Sequence, residues 1–211
     1  MRNLPKVIFI DWNKTLSNSF FWHHLSNELH PNHKHHNTIE EGLFKHNKDL
    51  INPWMRGKIT SDDVAGKISK VSGVDKEIIL DELYKSAETM EFVSPEIPEL
   101  LKKIRAQGIK IVIATDNMDT FRRYTIKGMK LDELFDDYLI SYELKALKGD
   151  VEEGKLKFFH KHMKDNKLEY KDVILFDDSI DKTGLWNKLS FKAVEITSSD
   201  VLLKTLKEYA S

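Results

Sequence analysis

Several polar residues stand directly after short apolar runs, where their side chains could act together. Asp11 follows VIFI, Thr115 follows IKIVIA, and the pair Asp177-Asp178 follows VILF, while Lys148 lies between the last two runs. Carboxylate oxygens are the ligands that Mg²⁺ prefers, and an Asp can also be a covalent nucleophile. A lysine ammonium and a threonine hydroxyl can donate hydrogen bonds to phosphoryl oxygens. These residue types therefore indicate metal-assisted chemistry at a phosphate group.

The apolar runs are typical of strands that are buried on both faces of a parallel sheet. Amphipathic segments that predict helices alternate with them, which favours a doubly wound α/β fold with right-handed crossovers. The predicted strands are 7–10, 109–114, 138–140, 173–176 and 191–196, and the predicted helices are 95–107, 119–130, 151–163 and 201–209. Such folds bind ligands at the carboxyl ends of their strands, where the polar residues stand.

The order of these motifs resembles the haloacid dehalogenase-like (HAD) superfamily. Residues 11–16, DWNKTL, match its first motif, a hydrophobic strand followed by D-x-D-x-[TV]-[LV], and the strand that ends at Thr115 matches its second. The sequence Lys148-Gly-Asp is similar to the third motif, and the acidic pair Asp177-Asp178 is similar to the fourth.

This resemblance implies a fold and an activity. The fold is α/β, with a Rossmann-like three-layer core over residues 1–16 and 94–211 and a small all-α cap domain inserted at residues 17–93. The inserted residues are polar, rich in His and Lys, and helical in period. The implied activity is that of a Mg²⁺-dependent phosphohydrolase, which acts on a small phosphorylated metabolite through an aspartyl-phosphate on Asp11.

The resemblance also implies which residues bind the metal and the substrate. The expected metal ligands are Asp11, the backbone carbonyl of Asn13, and Asp178, with Asp177 as an additional acidic partner. The expected substrate-binding residues are Thr15, Thr115, Asp116, Asn117 and Lys148. Lys145 is a second candidate for the third-motif lysine, and the Lys-Gly-Asp context favours Lys148.

Asn13 departs from the pattern of the family's phosphatases, which usually have a second Asp at this position. That Asp protonates the leaving oxygen and then activates water, whereas an amide can do neither; such help is worth about 10²–10⁴-fold in rate. Asp116, or His23 and His24, could take over this role. Two alternatives stay open: a phosphonoacetaldehyde-hydrolase-like enzyme, for which residues 41–45 bear some likeness, and a HAD-like binding or regulatory module.

Composition restricts the classes of partner. The 33 Lys and Arg residues nearly balance the 34 Asp and Glu residues, so nucleic acid is not an expected partner. The absence of Cys excludes disulfides and thiolate metal sites. The longest apolar run near the N-terminus, Val7–Ile10, is far too short for a membrane span. We therefore expect a cytoplasmic monomer or small homo-oligomer that binds a small phosphorylated substrate.

Histidines are concentrated in the inserted segment. Seven of the nine lie between residues 23 and 46, and His33 and His36 could share a helical face and bind a transition metal. The same stretch is also typical of an exposed polar loop. The large aromatic residues Trp22, Phe44 and Trp54 are expected in the apolar core of the segment rather than in a substrate pocket.

Overall fold

Five parallel strands form the main sheet in the described part of the chain. The computed structural model describes residues 4–181 and 183–211. The strands are β1 (Val7–Ile10), β2 (Lys110–Thr115), β3 (Asp137–Ile140), β4 (Val151–Glu152), β5 (Lys155–Leu156), β6 (Val173–Asp177) and β7 (Lys192–Glu195). The main sheet has the order β3-β2-β1-β6-β7, and β4 and β5 form a separate antiparallel pair. The prediction of a parallel α/β core is confirmed.

The register of the sheet brings the polar strand ends together. Ile10 pairs with Ile113 of β2 and with Phe176 of β6, so all three strands end at the same edge. The backbone N–H of Asp11 continues the ladder by donating a hydrogen bond of 2.8 Å to the carbonyl of Phe176. Asp11 therefore lies beside the carboxyl ends of both neighbouring strands.

Helices flank the sheet and also occupy the chain between β1 and β2. The α-helices are α1 (His36–Phe44), α2 (Ile51–Met55), α3 (Ser61–Ser72), α4 (Lys76–Glu88), α5 (Ile97–Ala106), α6 (Ile126–Gly128), α7 (Ser141–Leu144), α8 (Lys157–Asp165), α9 (Leu185–Lys188) and α10 (Ser199–Tyr209). Short 3₁₀ helices lie at His23–Ser26, His33–His35, Lys48–Leu50, Leu131–Glu133 and Tyr170–Asp172. None of the helices within residues 4–181 and 183–211 has the length and apolar character needed to cross a membrane.

Apolar side chains on both faces of the sheet join it to two helical layers. All four residues of β1 are buried, because they alternate between the two faces. Ile8 and Ile10 belong to a cluster with α5 and α10. Phe9 points to the opposite face, where its ring centroid lies 5.1 Å from that of Phe159 on α8. This is the three-layer arrangement that the sequence predicts.

The helical segment, residues 17–93, has an apolar cluster of its own. Trp22 and Trp54 are completely buried in this cluster, as predicted. Phe44 is 38% exposed, so its assignment to the core was wrong. The segment packs on the core through Met118, which follows β2 and belongs to the same cluster. That it forms a cap domain with the bounds 17–93 stays a prediction, and residues 1–3 of the predicted core unit lie outside the described residues.

Two predicted helices differ from the structure. The helix predicted at 151–163 begins only at Lys157, because the residues before it form the β4–β5 hairpin. Glu153 and Gly154 make its turn with φ of 49° and 73°, a left-handed pair that favours glycine. The helix predicted at 119–130 contains a π-helical turn at Phe121–Thr125 and ends at Gly128.

Candidate active site

The loop after β1 places Asp11 at the centre of the site. The carbonyl of Trp12 accepts hydrogen bonds from three backbone N–H groups, those of Thr15, Leu16 and Ser17, which folds the loop back on itself. Lys14 completes this turn with a φ of 57°, in the left-handed region. Trp12 is buried beneath the loop, where it packs against Phe92 and Phe121 rather than facing a ligand.

Lys148 is the lysine that reaches Asp11. Its Nζ lies 2.7 Å from Oδ1 of Asp11 and 2.5 Å from Oδ2 of Asp177. Burial alone would lower the pKa of Lys148, but the two carboxylates raise that pKa above its ordinary value. Lys145 is exposed and donates to the carbonyl of Gly57 at 3.0 Å. The structure therefore selects Lys148 over Lys145.

Three carboxylates converge beside this ammonium. Asp11, Asp177 and Asp178 each place an oxygen within 4.8 Å of the others. Burial raises the pKa of Asp11 to about 7, and repulsion from Asp177 adds to this effect while Lys148 opposes it. Burial also raises the pKa of Asp178, with the charge of Asp177 as the second cause. Three carboxylates beside one ammonium leave room for a further positive charge at this site.

The residues at the carboxyl end of β2, 115–117, divide into two groups. Thr115 and Asn117 are buried, and Nδ2 of Asn117 lies 3.5 Å from Oγ1 of Thr115. The backbone N–H of Asn117 donates to Oγ of Ser141 at 2.9 Å, which fixes the loop. Asp116 is half-buried and accepts a hydrogen bond of 3.1 Å from the backbone N–H of Lys148. Asp116 therefore belongs to the Asp11 site, while Asn117 supports the loop behind it.

A cavity of about 450 Å³ opens over these groups and is referred to here as the catalytic cavity. Six of the predicted site residues line it, namely Asp11, Asn13, Asp116, Lys148, Asp177 and Asp178. Thr15, Thr115 and Asn117 are not among its lining residues. Oγ1 of Thr15 is buried with no hydrogen-bond partner among the described residues. Substrate binding by these three residues stays a prediction.

One family model covers all of the predicted residues of this site. A family model described as haloacid dehalogenase-like hydrolase matches residues 5–182. The chain belongs to the haloacid dehalogenase-like hydrolase family. The predicted resemblance is thereby confirmed, and the protein is a HAD-like hydrolase.

Solved structures of HAD-like proteins share its fold at low sequence identity. A HAD family enzyme from Bacteroides thetaiotaomicron, in complex with magnesium and inorganic phosphate, is 17% identical with a TM-score of 0.65, over 92% of this chain and 96% of that one. L-2-haloacid dehalogenase from Xanthobacter autotrophicus is 14% identical with a TM-score of 0.62, over 97% of this chain and 83% of that one. A HAD-like family hydrolase from Porphyromonas gingivalis is 14% identical with a TM-score of 0.66, over 97% of both chains. No curated protein matches the sequence.

The histidines of this HAD-like hydrolase lie away from the catalytic cavity. Nε2 of His24 binds Oε2 of the buried Glu82 at 2.7 Å, and Nδ1 of His23 lies 2.8 Å from the carbonyl of Phe20. Neither His23 nor His24 lines the catalytic cavity, so Asp116 is the predicted substitute that the structure places there. Nδ1 of His33 lies 2.7 Å from the carbonyl of Leu25, and Nε2 of His36 lies 3.4 Å from Oε1 of Glu40; metal binding by this pair stays a prediction.

Contacts of the helical segment with two core carboxylates, those of Asp150 and Asp119, were not predicted. Arg56 makes a bidentate salt bridge to Asp150, with Nη2 at 2.8 Å from Oδ1. The buried carboxylate of Asp119 accepts hydrogen bonds from Nε1 of Trp54 at 3.0 Å and Oγ of Ser61 at 2.6 Å. No signal in the sequence pairs these residues, because each pair is separated by more than fifty positions.

Proposed function

We propose that this HAD-like hydrolase is a Mg²⁺-dependent phosphohydrolase, which acts on a small phosphorylated metabolite through an aspartyl-phosphate on Asp11. The observation that carries the proposal is the buried contact of one ammonium, that of Lys148, with both Asp11 and Asp177 beside the carboxylate of Asp178. The magnesium and inorganic phosphate in the Bacteroides thetaiotaomicron structure support the same chemistry here.

The donor set fits Mg²⁺. The cluster of Asp11, Asp177 and Asp178 offers only carboxylate oxygens, which suit a hard cation better than a transition metal. Asp11 and Asp178 would hold the ion with the backbone carbonyl of Asn13, and Asp177 would remain the partner of Lys148. When bound, the ion would neutralise charge on the phosphoryl oxygens and orient them.

Asp11 and Lys148 carry the two covalent steps. A carboxylate oxygen of Asp11 attacks phosphorus and forms an O–P bond, while the bond from phosphorus to the leaving oxygen breaks and its electron pair stays on that oxygen. Lys148 donates hydrogen bonds to the phosphoryl oxygens and balances their charge. Water then attacks the aspartyl-phosphate at phosphorus, the bond to Asp11 breaks, and inorganic phosphate and the free carboxylate form.

Asp116 supplies the proton transfers that Asn13 cannot. Both side chains line the catalytic cavity, and only the carboxyl group of Asp116 can titrate. Burial raises the pKa of Asp116 above its ordinary value, which favours a protonated group that gives its proton to the leaving oxygen. The resulting carboxylate then takes a proton from the attacking water.

The helical segment acts as the cap of this site. Arg56 on the segment binds Asp150, two residues after Lys148, so closure of the segment and the position of the lysine loop are linked. Oγ of Ser141, the first residue of α7, also donates to the carbonyl of Met55 at 2.8 Å. A closed cap excludes bulk water from the aspartyl-phosphate and selects the leaving group.

One alternative keeps a specific observation in its favour. Asn13 in place of the usual Asp favours a module that binds a phosphoester with little turnover. The phosphonoacetaldehyde-hydrolase-like alternative needs a cap lysine at the site, and the side chain of Lys45 is 66% exposed beside Glu41. We therefore place the binding module second.

Release of p-nitrophenol from p-nitrophenyl phosphate tests the proposal. We expect Mg²⁺-dependent turnover by the wild type and none above background by Asp11→Asn, together with a phosphoryl adduct on the wild-type protein after acid quenching. A single burst that stalls would mean that Asn13 limits hydrolysis of the aspartyl-phosphate, whereas no release above the Asp11→Asn variant would support the binding module. Turnover that survives Asp11→Asn would contradict the proposal.

A further inference from the structure

A second cavity of about 180 Å³ lies between the helical segment and the core. We call it the apolar chamber, because seven of its ten lining residues are Phe, Ile or Met and the others are Asn13, Ser19 and Asp116. Phe20, Phe44 and Met55 come from the helical segment, and Met118 comes from the core. Phe20 is 42% exposed and Phe44 is 38% exposed, so part of the chamber's apolar wall is open to solvent.

The apolar chamber adjoins the catalytic cavity. Asn13 and Asp116 line both cavities, so they stand at the junction between the two. Asn13 is two residues after Asp11, and Asp116 is the proposed proton donor to the leaving oxygen. In a phosphate ester bound with its phosphorus at Asp11, the leaving oxygen would therefore lie beside Asp116. The rest of the leaving group would lie in the chamber.

The lining of the apolar chamber limits what that leaving group can be. No Lys, Arg or His is among the lining residues that the structure describes, so a second phosphate or a carboxylate would be buried without a cation. Oγ of Ser19 already accepts a hydrogen bond of 3.1 Å from the backbone N–H of Glu91. The hydroxyl groups of a sugar would lose hydrogen bonds to water and regain few, which disfavours a sugar phosphate.

The size of the chamber limits the ligand further. An apolar cavity of about 150 Å³ is large enough for benzene. The volume of about 180 Å³ therefore fits one aromatic ring or an alkyl group of similar size. Methionines such as Met55, Met90 and Met118 are unbranched and flexible, so the wall can adapt to related shapes.

We infer that the substrate is a phosphate monoester of an uncharged, apolar alcohol or phenol, with a leaving group of about one ring that occupies the apolar chamber. This inference rests on the proposed function, since it assigns the leaving group of that reaction. The inference goes beyond the proposed function, because phosphohydrolase activity does not require an apolar substrate.

The test compares 2-phenylethyl phosphate with glycerol 1-phosphate, which are both esters of primary alcohols and differ in apolar surface. We expect a kcat/KM on the order of 100-fold higher for the phenylethyl ester. Met55→Lys places a cation in the chamber and should reduce this preference to below about 10-fold. Val71→Lys is the matched control on an exposed apolar residue of α3, and it should keep the preference.

Binding to Asp11→Asn separates the two proposals. Calorimetric titration of this variant measures the preference between the two esters without turnover. Asp11-dependent hydrolysis of both esters with equal kcat/KM would contradict the inference of an apolar substrate but would still support the phosphohydrolase proposal. Selective binding of the phenylethyl ester without hydrolysis by the wild type would support the chamber and reject the phosphohydrolase. Equal or absent binding of both esters would overturn the inference. Thermal unfolding of Met55→Lys verifies that its effect is not a loss of folding.

Discussion

Nζ of Lys148 lies 2.7 Å from Oδ1 of Asp11, so a buried cation contacts the proposed nucleophile before substrate binds. The same ammonium contacts Asp177, and the backbone N–H of Lys148 donates a hydrogen bond to Oδ1 of Asp116. Lys148 thus organises three of the carboxylates at the site. It can transfer its hydrogen bonds from Asp11 to a phosphoryl group as the covalent bond forms, without moving far.

Replacing Lys148 with Met, which has a similar shape and no charge, should reduce kcat by about 10²–10³-fold, because a preorganised donor to the phosphoryl group is lost. The variant should also lose about 3–5 kcal/mol of unfolding free energy, since two buried carboxylates lose their cation. Urea titrations and p-nitrophenyl phosphate kinetics measure both effects. Lys145→Met is the control, and a comparable loss of kcat in that variant would argue against the assignment.

Asp116→Asn should show an effect that depends on the leaving group. Alkyl phosphates need a proton on the leaving oxygen, so we expect their kcat to fall by about 10²–10⁴-fold. The aryl oxygen of p-nitrophenyl phosphate leaves without that proton, and its first step should change by less than about 10-fold. Asn13→Asp in the Asp116→Asn background should restore part of the alkyl activity. Equal losses for both esters would point to a structural role for Asp116.

Arg56→Ala should disturb closure of the helical segment more than it disturbs folding. The Arg56–Asp150 pair is partly exposed, so its loss should cost less than about 1 kcal/mol of unfolding free energy. We expect kcat/KM to fall by about 10–100-fold through misplacement of the lysine loop. Arg105→Ala removes a pair of similar exposure, with Asp136, on the far side of the core. Similar kinetics for the two variants would remove closure as the explanation.

Glu82→Gln tests the hydrogen bonds by which Glu82, on α4, binds the loop that contains His24 and Asn32. Burial opposes the charge of Glu82, yet hydrogen bonds from His24, Asn32 and Lys85 lower its pKa to about 2. A lowered carboxyl pKa stabilises the fold above the ordinary pKa of about 4.5, and this contribution is lost as pH falls towards 2. We expect Glu82→Gln to cost about 2–3 kcal/mol at pH 7.

The difference between wild type and Glu82→Gln should become smaller as pH falls from the ordinary pKa of the carboxyl group, about 4.5, towards 2. Denaturant unfolding at several pH values measures it. A difference that does not change with pH would mean that packing, rather than charge, is responsible.

Replacing Gly128 or Gly66 with alanine should change the unfolding free energy in opposite directions. A Cβ at Gly128 would lie 2.4 Å from the backbone carbonyl oxygen of Glu88, where the helical segment meets the core. We expect Gly128→Ala to cost about 1–3 kcal/mol of unfolding free energy. A Cβ at Gly66, within α3, meets no atom within 4 Å, so Gly66→Ala should gain up to about 1 kcal/mol through helix propensity. Thermal unfolding compares the two, and a stable Gly128→Ala would indicate looser packing at this junction.

The sequence by itself determined the sheet and the strand-end carboxylates. A strand buried on both faces must be apolar throughout, so VIFI and VILF are visible as uninterrupted runs. The polar residue that ends such a run must lie at the carboxyl edge, which places Asp11 and Asp177 without knowledge of any contact. The same local reasoning failed at 151–156, because two short strands joined at Glu153-Gly154 carry too few residues to show a period.

Only the tertiary structure decided which side chains meet. Lys145 and Lys148 are three positions apart, and the Lys-Gly-Asp context favours Lys148 without excluding Lys145. The path of the loop decides, because it brings Lys148 to Asp11 and Lys145 to the carbonyl of Gly57. The apolar chamber collects residues from 13 to 118, so no local pattern reveals it. Arg56 and Asp150 likewise pair across 94 positions. Such contacts depend on how the helical segment packs on the core, and that packing is set by burial summed over many residues rather than by any motif.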